Sequence, residues 1–163
     1  MLAIIEALSQ AHIETARQLF QEYSNSIGVD LCFQGFAEEL KTLPGNYAPP
    51  GGGLFIALID GDPAGCVALR PIKPDEAAEL KRLYVRPTGR GLGVGRALAQ
   101  KAIERAREAG YRAVRLDTLA SMSDAQRLYR VMGFTEIPPY TFNPIPGVVY
   151  MELALRTRDG QTS

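Results

Sequence analysis

Glu79-Leu-Lys-Arg-Leu-Tyr-Val-Arg-Pro-Thr-Gly-Arg-Gly-Leu-Gly-Val-Gly95 is the stretch of sequence that decides the fold. Its first half has the apolar character of a strand that ends before Pro87. Its second half is a glycine-rich turn, after which Val94, Leu98 and Ala102 recur at helical spacing. A strand, a glycine-rich turn and a helix in this order predict a ligand site at the start of the helix, where backbone N–H groups have no intrahelical partner. A tight turn with close helix packing would explain the same glycines without a ligand.

The turn suits a phosphate or pyrophosphate. Glycine lets the backbone approach a ligand closely, the helix dipole adds partial positive charge, and Arg90 and Arg96 add full charges. A nucleotide-binding Walker loop needs Gly-Lys-Ser/Thr, whereas Arg96-Ala97 follows the last glycine here. A dinucleotide-binding turn needs Gly-x-Gly-x-x-Gly in a parallel unit. Here the spacing is Gly-x-Gly-x-Gly, and the preceding strand closes an antiparallel series.

Periodicity and turn signals divide the rest of the chain into strands and helices. The predicted strands are Leu2–Leu8, Leu54–Ile59, Ala64–Leu69, Ala77–Val85, Ala113–Thr118, Phe134–Ile137 and Val148–Leu155. Helices are predicted at His12 to about Ser26, at Phe36–Leu43, from Gly93 to Ala109 and at Asp124–Met132. Asp60-Gly-Asp-Pro63 predicts a hairpin, Gly110 a helix end, and Ser121 with Asp124 a capping box. The fold class is therefore α/β, with a mixed, mostly antiparallel sheet and helices on its faces.

Composition is that of an ordinary globular chain, with 163 residues that we expect to form a single domain over 1–163. Residues 1–70 hold 8 acidic and 3 basic residues, a balance of −5, and residues 71–163 hold 10 and 15, a balance of +5. The basic half suits an anionic ligand, although solvated surface explains both halves equally well. Cys32 and Cys66 give no disulfide framework or metal cluster, so a reducing, cytoplasmic location is expected. Neither nucleic acid nor a membrane is an expected partner.

Three motifs resemble the GNAT superfamily of acyl-CoA-dependent N-acetyltransferases. Arg90-Gly-Leu-Gly93-Val-Gly95 matches the family's pyrophosphate motif, Gln/Arg-x-x-Gly-x-Gly/Ala, at every defined position. The segment from Glu79 to Pro87 is similar to its fourth strand. Ala125-Gln-Arg-Leu-Tyr129-Arg-Val-Met-Gly133-Phe134 is similar to its later tyrosine-bearing helix. The resemblance implies a GNAT-like mixed sheet of six to seven strands flanked by about four helices, with acetyl-CoA as co-substrate and no metal.

The resemblance also implies a cofactor site. Backbone groups of Leu83, Tyr84 and Val85 would pair with the pantetheine arm, and the N–H of Val85 or its neighbour would stabilise the thioester oxygen. The pyrophosphate would lie on the turn formed by Arg90, Gly91, Leu92, Gly93, Val94, Gly95 and Arg96.

Catalysis in such a family is direct attack by the amine in a ternary complex. Tyr129 stands where the family commonly has the acid that protonates the leaving thiolate, although a tyrosine on an apolar helix face can also be a core residue. Glu79 stands where some members carry a general base, and a buried glutamate with a raised pKa would suit that role. The alternative is a surface glutamate paired with Lys81.

The acceptor is expected to be a primary amine of a small molecule. By resemblance, it would be lined by loops that carry Tyr47, Tyr140, Phe142 and Asn143. Two alternatives stay open: a peptide N-terminus or lysine side chain as the acceptor, and a non-catalytic acyl-CoA sensor. A homodimer also stays open.

Overall fold

Seven strands of the described chain form one sheet in the order β1-β2-β3-β4-β5-β7-β6. The computed structural model describes residues 1–28, 31, 35–72 and 76–155, and Cys32 lies outside them. The strands are β1 (Leu2–Glu6), β2 (Gly53–Ile59), β3 (Asp62–Ile72), β4 (Ala77–Val85), β5 (Ala113–Thr118), β6 (Thr135–Ile137) and β7 (Val149–Ala154).

The sheet is mixed and mostly antiparallel, which confirms the predicted fold class. All neighbouring strands run antiparallel except β4 and β5, which are parallel. The reason is the connections: a parallel pair needs a long crossover, and a helix supplies it here. By contrast, β2 and β3 are joined by Asp60 and Gly61 alone, with φ of 49° and 86°. Two successive positive φ angles match the twist of a tight hairpin, as the Asp-Gly pair predicts.

Four α-helices of the described chain cover the two faces of the sheet: α1 (Gln10–Ile27), α2 (Phe36–Thr42), α3 (Val94–Glu108) and α4 (Ser123–Val131). Ser9 caps α1, since its hydroxyl accepts a hydrogen bond from the N–H of His12 at 3.1 Å. Gly110, at φ 85°, follows the end of α3 as predicted. Helix α2 is followed by a short 3-10 helix at Gly45–Tyr47, inside a segment predicted to be only loop.

The predicted capping box at the start of α4 is wrong. Met122 occupies the N-cap position, and no side chain of the described residues caps the helix there. A tight turn, closed by the N–H of Met122 on the carbonyl of Leu119 at 3.0 Å, places Ser121 inside the turn and not at the cap. The helix is instead tied to β5 by Gln126, whose Nε2 donates to the same carbonyl at 2.8 Å.

Two apolar clusters lie on opposite faces of the sheet. On one face, α3 and Tyr129 of α4 pack on Phe55, Leu69 and Leu116. On the other, Phe20 of α1 is fully buried with Leu54 and residues of α2. Because each face is sealed by its own helices, β2, β3 and the first half of β4 are buried on both sides.

Strands β4 and β5 pair along only part of their length. Ala77, Ala78 and Glu79 lie opposite Ala113, Val114 and Arg115, after which no further pairs form. Just beyond, β4 carries a bulge, because the register with β3 shifts between Cys66 and Ala68. Arg82 lies in this bulge at φ 62°, a conformation unusual for a residue with a side chain. The two strands therefore diverge and open the sheet between them.

Candidate active site

The glycine-rich turn forms one end of a groove of about 590 Å³ that runs along the diverging strands. Gly91 and Gly93 adopt φ of 79° and 78°, which an L side chain rarely takes. A Cβ added to either would meet no atom within 4 Å, so both glycines face open space. The turn thus exposes its backbone to the groove.

The start of α3 has the electrostatics of an anion site. Gly93 is its N-cap, and within the described residues no side chain caps it and no acidic residue occupies its first turn. Arg90 and Arg96 are exposed on either side. Unpartnered N–H groups, the helix dipole and two guanidinium groups together favour a phosphate or pyrophosphate at this point.

Most of the predicted cofactor residues line this groove. They are Leu83, Tyr84, Val85, Arg90, Gly91, Gly93, Val94, Gly95 and Arg96. Leu92 is not part of the lining, and its side chain is 59% exposed. The wall opposite the turn comes from α1 and from the start of α4, which sequence reasoning did not include.

The end of β4 is held to α1 by a charged cluster. Glu22 accepts hydrogen bonds from Arg86 at 2.6 and 2.9 Å, and from the Tyr84 hydroxyl at 3.3 Å. The hydrogen bond from Arg86 lowers the pKa of the Glu22 carboxyl. The side chain of Tyr84 is therefore engaged with α1, which fixes the strand whose backbone faces the groove.

Tyr129 is 5% exposed, and its ring packs against Phe134 with centroids 5.5 Å apart. It also lines a deep cavity of about 50 Å³ that adjoins the groove, and Leu83, Met122 and Ala125 line both. Burial, together with the charge of Asp117, raises the pKa of the Tyr129 hydroxyl. A phenol with an ordinary pKa near about 10 is already protonated at neutral pH, so the raised pKa makes the hydroxyl a weaker donor and does not itself support the acid role. Tyr129 as the acid stays a prediction.

Glu79 differs from both interpretations of its sequence position. It is 2% exposed, so it is not a surface residue, although the Lys81 ammonium lies 3.9 Å from its carboxylate. Its Oε1 accepts from Arg70 at 2.8 Å and its Oε2 from the Tyr140 hydroxyl at 2.7 Å. Burial would raise the pKa of Glu79, but the charges of Lys81 and Arg70 and the bond from Tyr140 lower it. The expected raised pKa is wrong for this reason.

The side chains of Arg82 and Glu39 hold α2 against β4. Arg82 donates two hydrogen bonds to the Glu39 carboxylate, at 2.9 and 2.8 Å, and its guanidinium lies 5.1 Å from the ring centroid of Phe36. The side chain of Arg82 is buried, and the two hydrogen bonds from its guanidinium to Glu39 raise its pKa. The pair stabilises the bulge from which β4 diverges.

Of the loop residues predicted to surround an acceptor, Asn143 lines the deep cavity, and Tyr140 lies behind it against Glu79. Asn143 donates to Oδ2 of Asp117 at 3.1 Å. Tyr47 is instead a packing residue, 3% exposed with its ring against Phe20, and Phe142 is 78% exposed. Sequence reasoning missed Asp117. The signal was present, because Arg115 and Asp117 alternate with apolar residues in a strand classified only as buried.

No cluster of His, Cys, Asp and Glu among the described residues could hold a metal ion. Over the same residues, no helix has the length and apolar character that a membrane span requires.

Comparison with known proteins agrees with the family resemblance of the three sequence motifs. The sequence model of the acetyltransferase (GNAT) family matches residues 11–134. An uncharacterized N-acetyltransferase of Schizosaccharomyces pombe is 41% identical over 144 residues, 88% of each chain. N-acetylaspartate synthetase of Homo sapiens is 36% identical over 110 residues, 68% of this chain and 35% of that protein. A GNAT-family acetyltransferase of Staphylococcus aureus superposes with a TM-score of 0.77, covering 94% of this chain and 99% of its own at 22% identity.

Proposed function

The chain belongs to the GNAT family of acetyltransferases, and from that premise we propose that it transfers an acetyl group from acetyl-CoA to the primary amine of a small molecule. The proposal rests on one observation, which is that the groove and the deep cavity adjoin each other. The groove ends at an anion site on α3, and its other end meets the deep cavity of about 50 Å³. That cavity is too narrow for folded polypeptide and suits a small acceptor group.

Acetyl-CoA supplies an acetyl group activated as a thioester. The residues from Arg90 to Arg96, Leu92 through its backbone, would hold the pyrophosphate. The diverging backbone at Leu83, Tyr84 and Val85 would supply the N–H and C=O groups that pair with the pantetheine arm and with the thioester oxygen. These assignments fit the residues present, because the two glycines with positive φ leave the space that such a ligand needs.

The transfer forms one C–N bond and breaks one C–S bond. The acceptor arrives as an ammonium, since alkyl amines have a pKa near about 10, and it loses one proton to solvent water before attack. The leaving thiolate gains a proton, which we assign to the Tyr129 hydroxyl because Tyr129 lines the deep cavity together with Leu83 and Ala125, which also line the groove. The second proton of the amine, lost from nitrogen after attack, returns to the Tyr129 oxygen once that group has protonated the thiolate. Glu79 is a poor general base, because three groups already share its carboxylate.

The relative that makes N-acetylaspartate, by its name, supports a small amine-bearing acceptor. A peptide N-terminus or a lysine side chain is the competing acceptor. Turnover with a panel of acceptors distinguishes the small-molecule acceptor from the peptide or lysine acceptor. The panel consists of spermidine, L-lysine, L-aspartate and a hexapeptide with a free N-terminal alanine.

The first experiment measures heat-unfolding midpoints with acetyl-CoA, CoA, NADH and ATP. A ligand at about 100 times its dissociation constant adds roughly 2.7 kcal/mol, which raises the midpoint by about 5–10 °C. We expect this rise with acetyl-CoA and CoA only. Release of free CoA thiol is then measured with each member of the acceptor panel. Binding of acetyl-CoA without acceptor-dependent thiol release would favour the non-catalytic sensor, and a rise with NADH or ATP alone would overturn the proposal.

A further inference from the structure

One carboxylate on the α1–α2 face of the sheet differs from its neighbours. Glu39, Glu79 and Glu152 each pair with an arginine, at 2.8, 2.7 and 2.7 Å. Asp117 lies on the same face, yet among the described residues no cationic nitrogen lies within 4.0 Å of its carboxylate. Lys81 lines the same cavity and feels the charge of this carboxylate, but it does not come within ion-pair distance, so the carboxylate oxygens stay open to a charged ligand.

The position of Asp117 is the point where the sheet opens. It is two residues past Arg115, the last residue of β5 that pairs with β4. It lines the deep cavity together with Tyr129 and Leu83, and Leu83 also lines the groove. Glu79 lines neither space. Asp117 is therefore the carboxylate that a molecule at the junction would meet.

The orientation of Asp117 is fixed from one side only. Asn143 donates to Oδ2 at 3.1 Å, and its own amide oxygen accepts from the N–H of Ile145 at 3.0 Å, which holds the Asn143 side chain in place. A carboxylate has about four acceptor positions on its two oxygens, so this bond leaves room for a further donor.

The charge of Asp117 acts on several ionisable groups around the deep cavity. Its negative charge acts to raise the pKa of groups on four different elements: Tyr23 of α1, Lys81 of β4, Tyr129 of α4, and Tyr150 of β7. It does the same for Tyr140 in the loop above. A cation placed at this carboxylate would be close to each of them.

We propose that Asp117 binds the ammonium group of the acceptor and so places beside Tyr129 and the diverging end of β4 the nitrogen that attacks once it has lost a proton to solvent water. This deepens the proposed function, on which it rests, and names the acceptor class as an amine that arrives charged. Asn143 is a positioning residue, since it acts on the acceptor only through the Asp117 carboxylate.

The test compares Asp117→Asn, Asp117→Glu and Glu152→Gln with the wild type. Glu152→Gln is the matched control, because it neutralises a carboxylate on the same face that lines neither space. The best acceptor of the panel is used at saturating acetyl-CoA. For Asp117→Asn we expect the acceptor KM to rise about 10- to 100-fold, the range of one charged hydrogen bond, with a smaller change in kcat. Asp117→Glu restores part of the loss, and Glu152→Gln stays within twofold.

Folding and cofactor binding are followed in the same variants by the unfolding midpoint and the dissociation constant of acetyl-CoA, which Asp117→Asn should leave unchanged. Turnover by the wild type with a KM for Asp117→Asn within twofold would overturn this inference alone. Thiol release with none of the four acceptors would overturn the proposed function and this inference with it. A smaller effect in Asn143→Ala, of the same kind, would support the positioning role.

Discussion

The groove and the deep cavity adjoin each other, but the chain builds them in different ways. About half of the groove's lining comes from one continuous run, residues 83–96, in which Gly91 and Gly93 present bare backbone to open space. The deep cavity collects side chains from separate segments, among them Tyr23, Lys81, Asp117, Tyr129 and Asn143. A site made of backbone can be found from glycine spacing, whereas a site made of distant side chains depends on strand register and on bulges.

Because the two regions are built from different residues, we expect a substitution in one region to leave the properties of the other unchanged. Replacing Glu79 by alanine removes the carboxylate that Arg70, Lys81 and Tyr140 share. Because one partner of a buried ion network is lost, unfolding free energy should fall by about 3 kcal/mol or more, a drop in midpoint of about 6–12 °C. Thermal denaturation measures this, and the dissociation constant of acetyl-CoA should stay within a few-fold.

Glu152→Ala is the control, because its pair with Arg115 is more exposed. It should cost about 1 kcal/mol or less. Equal midpoints for the two variants would mean that the Glu79 network contributes no more than an ordinary half-exposed pair.

Gly93→Glu should prevent phosphate binding in the groove, because it places bulk and negative charge where phosphate is expected. Affinity for acetyl-CoA, measured by calorimetry, should fall at least about 100-fold, or about 2.7 kcal/mol. Gly110→Glu is the matched control, since Gly110 also has positive φ and open space but lies at the other end of α3. Both variants carry the same backbone strain, so a similar loss of affinity in both would contradict the phosphate site.

The groove could be predicted from the sequence better than the deep cavity. Strands β4 and β5 and the turn after β4 were predicted at their observed bounds, because Pro87, Gly89 and the glycine spacing mark them locally. The bulge at Arg82 leaves no local signal, since it depends on how β4 pairs with β3. The engaged state of Glu79 also lacks a local signal, because it depends on the β3–β4 register, which places Arg70 opposite it, and on Tyr140 from a distant loop. Asp117 did have a local signal in its alternation with apolar residues.

The junction between the regions is tested by Tyr129→Phe, which removes only a hydroxyl. Turnover at saturation should fall by up to about 100-fold if that hydroxyl protonates the leaving thiolate, with acetyl-CoA affinity unchanged. Tyr111→Phe is the control: its hydroxyl donates to the carbonyl of Gly51 at 2.6 Å, far along the chain from the site. Full turnover by Tyr129→Phe would leave the tyrosine as a packing residue.

The smallest expected effect is a pH dependence of stability. The pKa of Glu79 is lowered in the folded state, so its charge contributes stability above its unfolded pKa, near about 4.3, and this contribution is lost as the pH falls through the folded value. Glu79→Gln cannot titrate. The gap in unfolding free energy between wild type and Glu79→Gln should therefore narrow as the pH falls from 6 to 3. A constant gap, measured by denaturant titration at each pH, would contradict the assigned charge state.

The short pairing of β4 with β5 has a consequence for motion. Strands β1 to β4 form one antiparallel block and β5 to β7 another, and in the described part of the chain three residue pairs join them across the sheet. The blocks share the apolar core under α3, but this seam has few backbone hydrogen bonds, so its pairs can open locally more readily than other pairs of the sheet interior. Within the interior of the sheet, amide exchange should then be fastest at the β4–β5 pairs. A ligand that binds between the two strands would bridge them and slow this exchange.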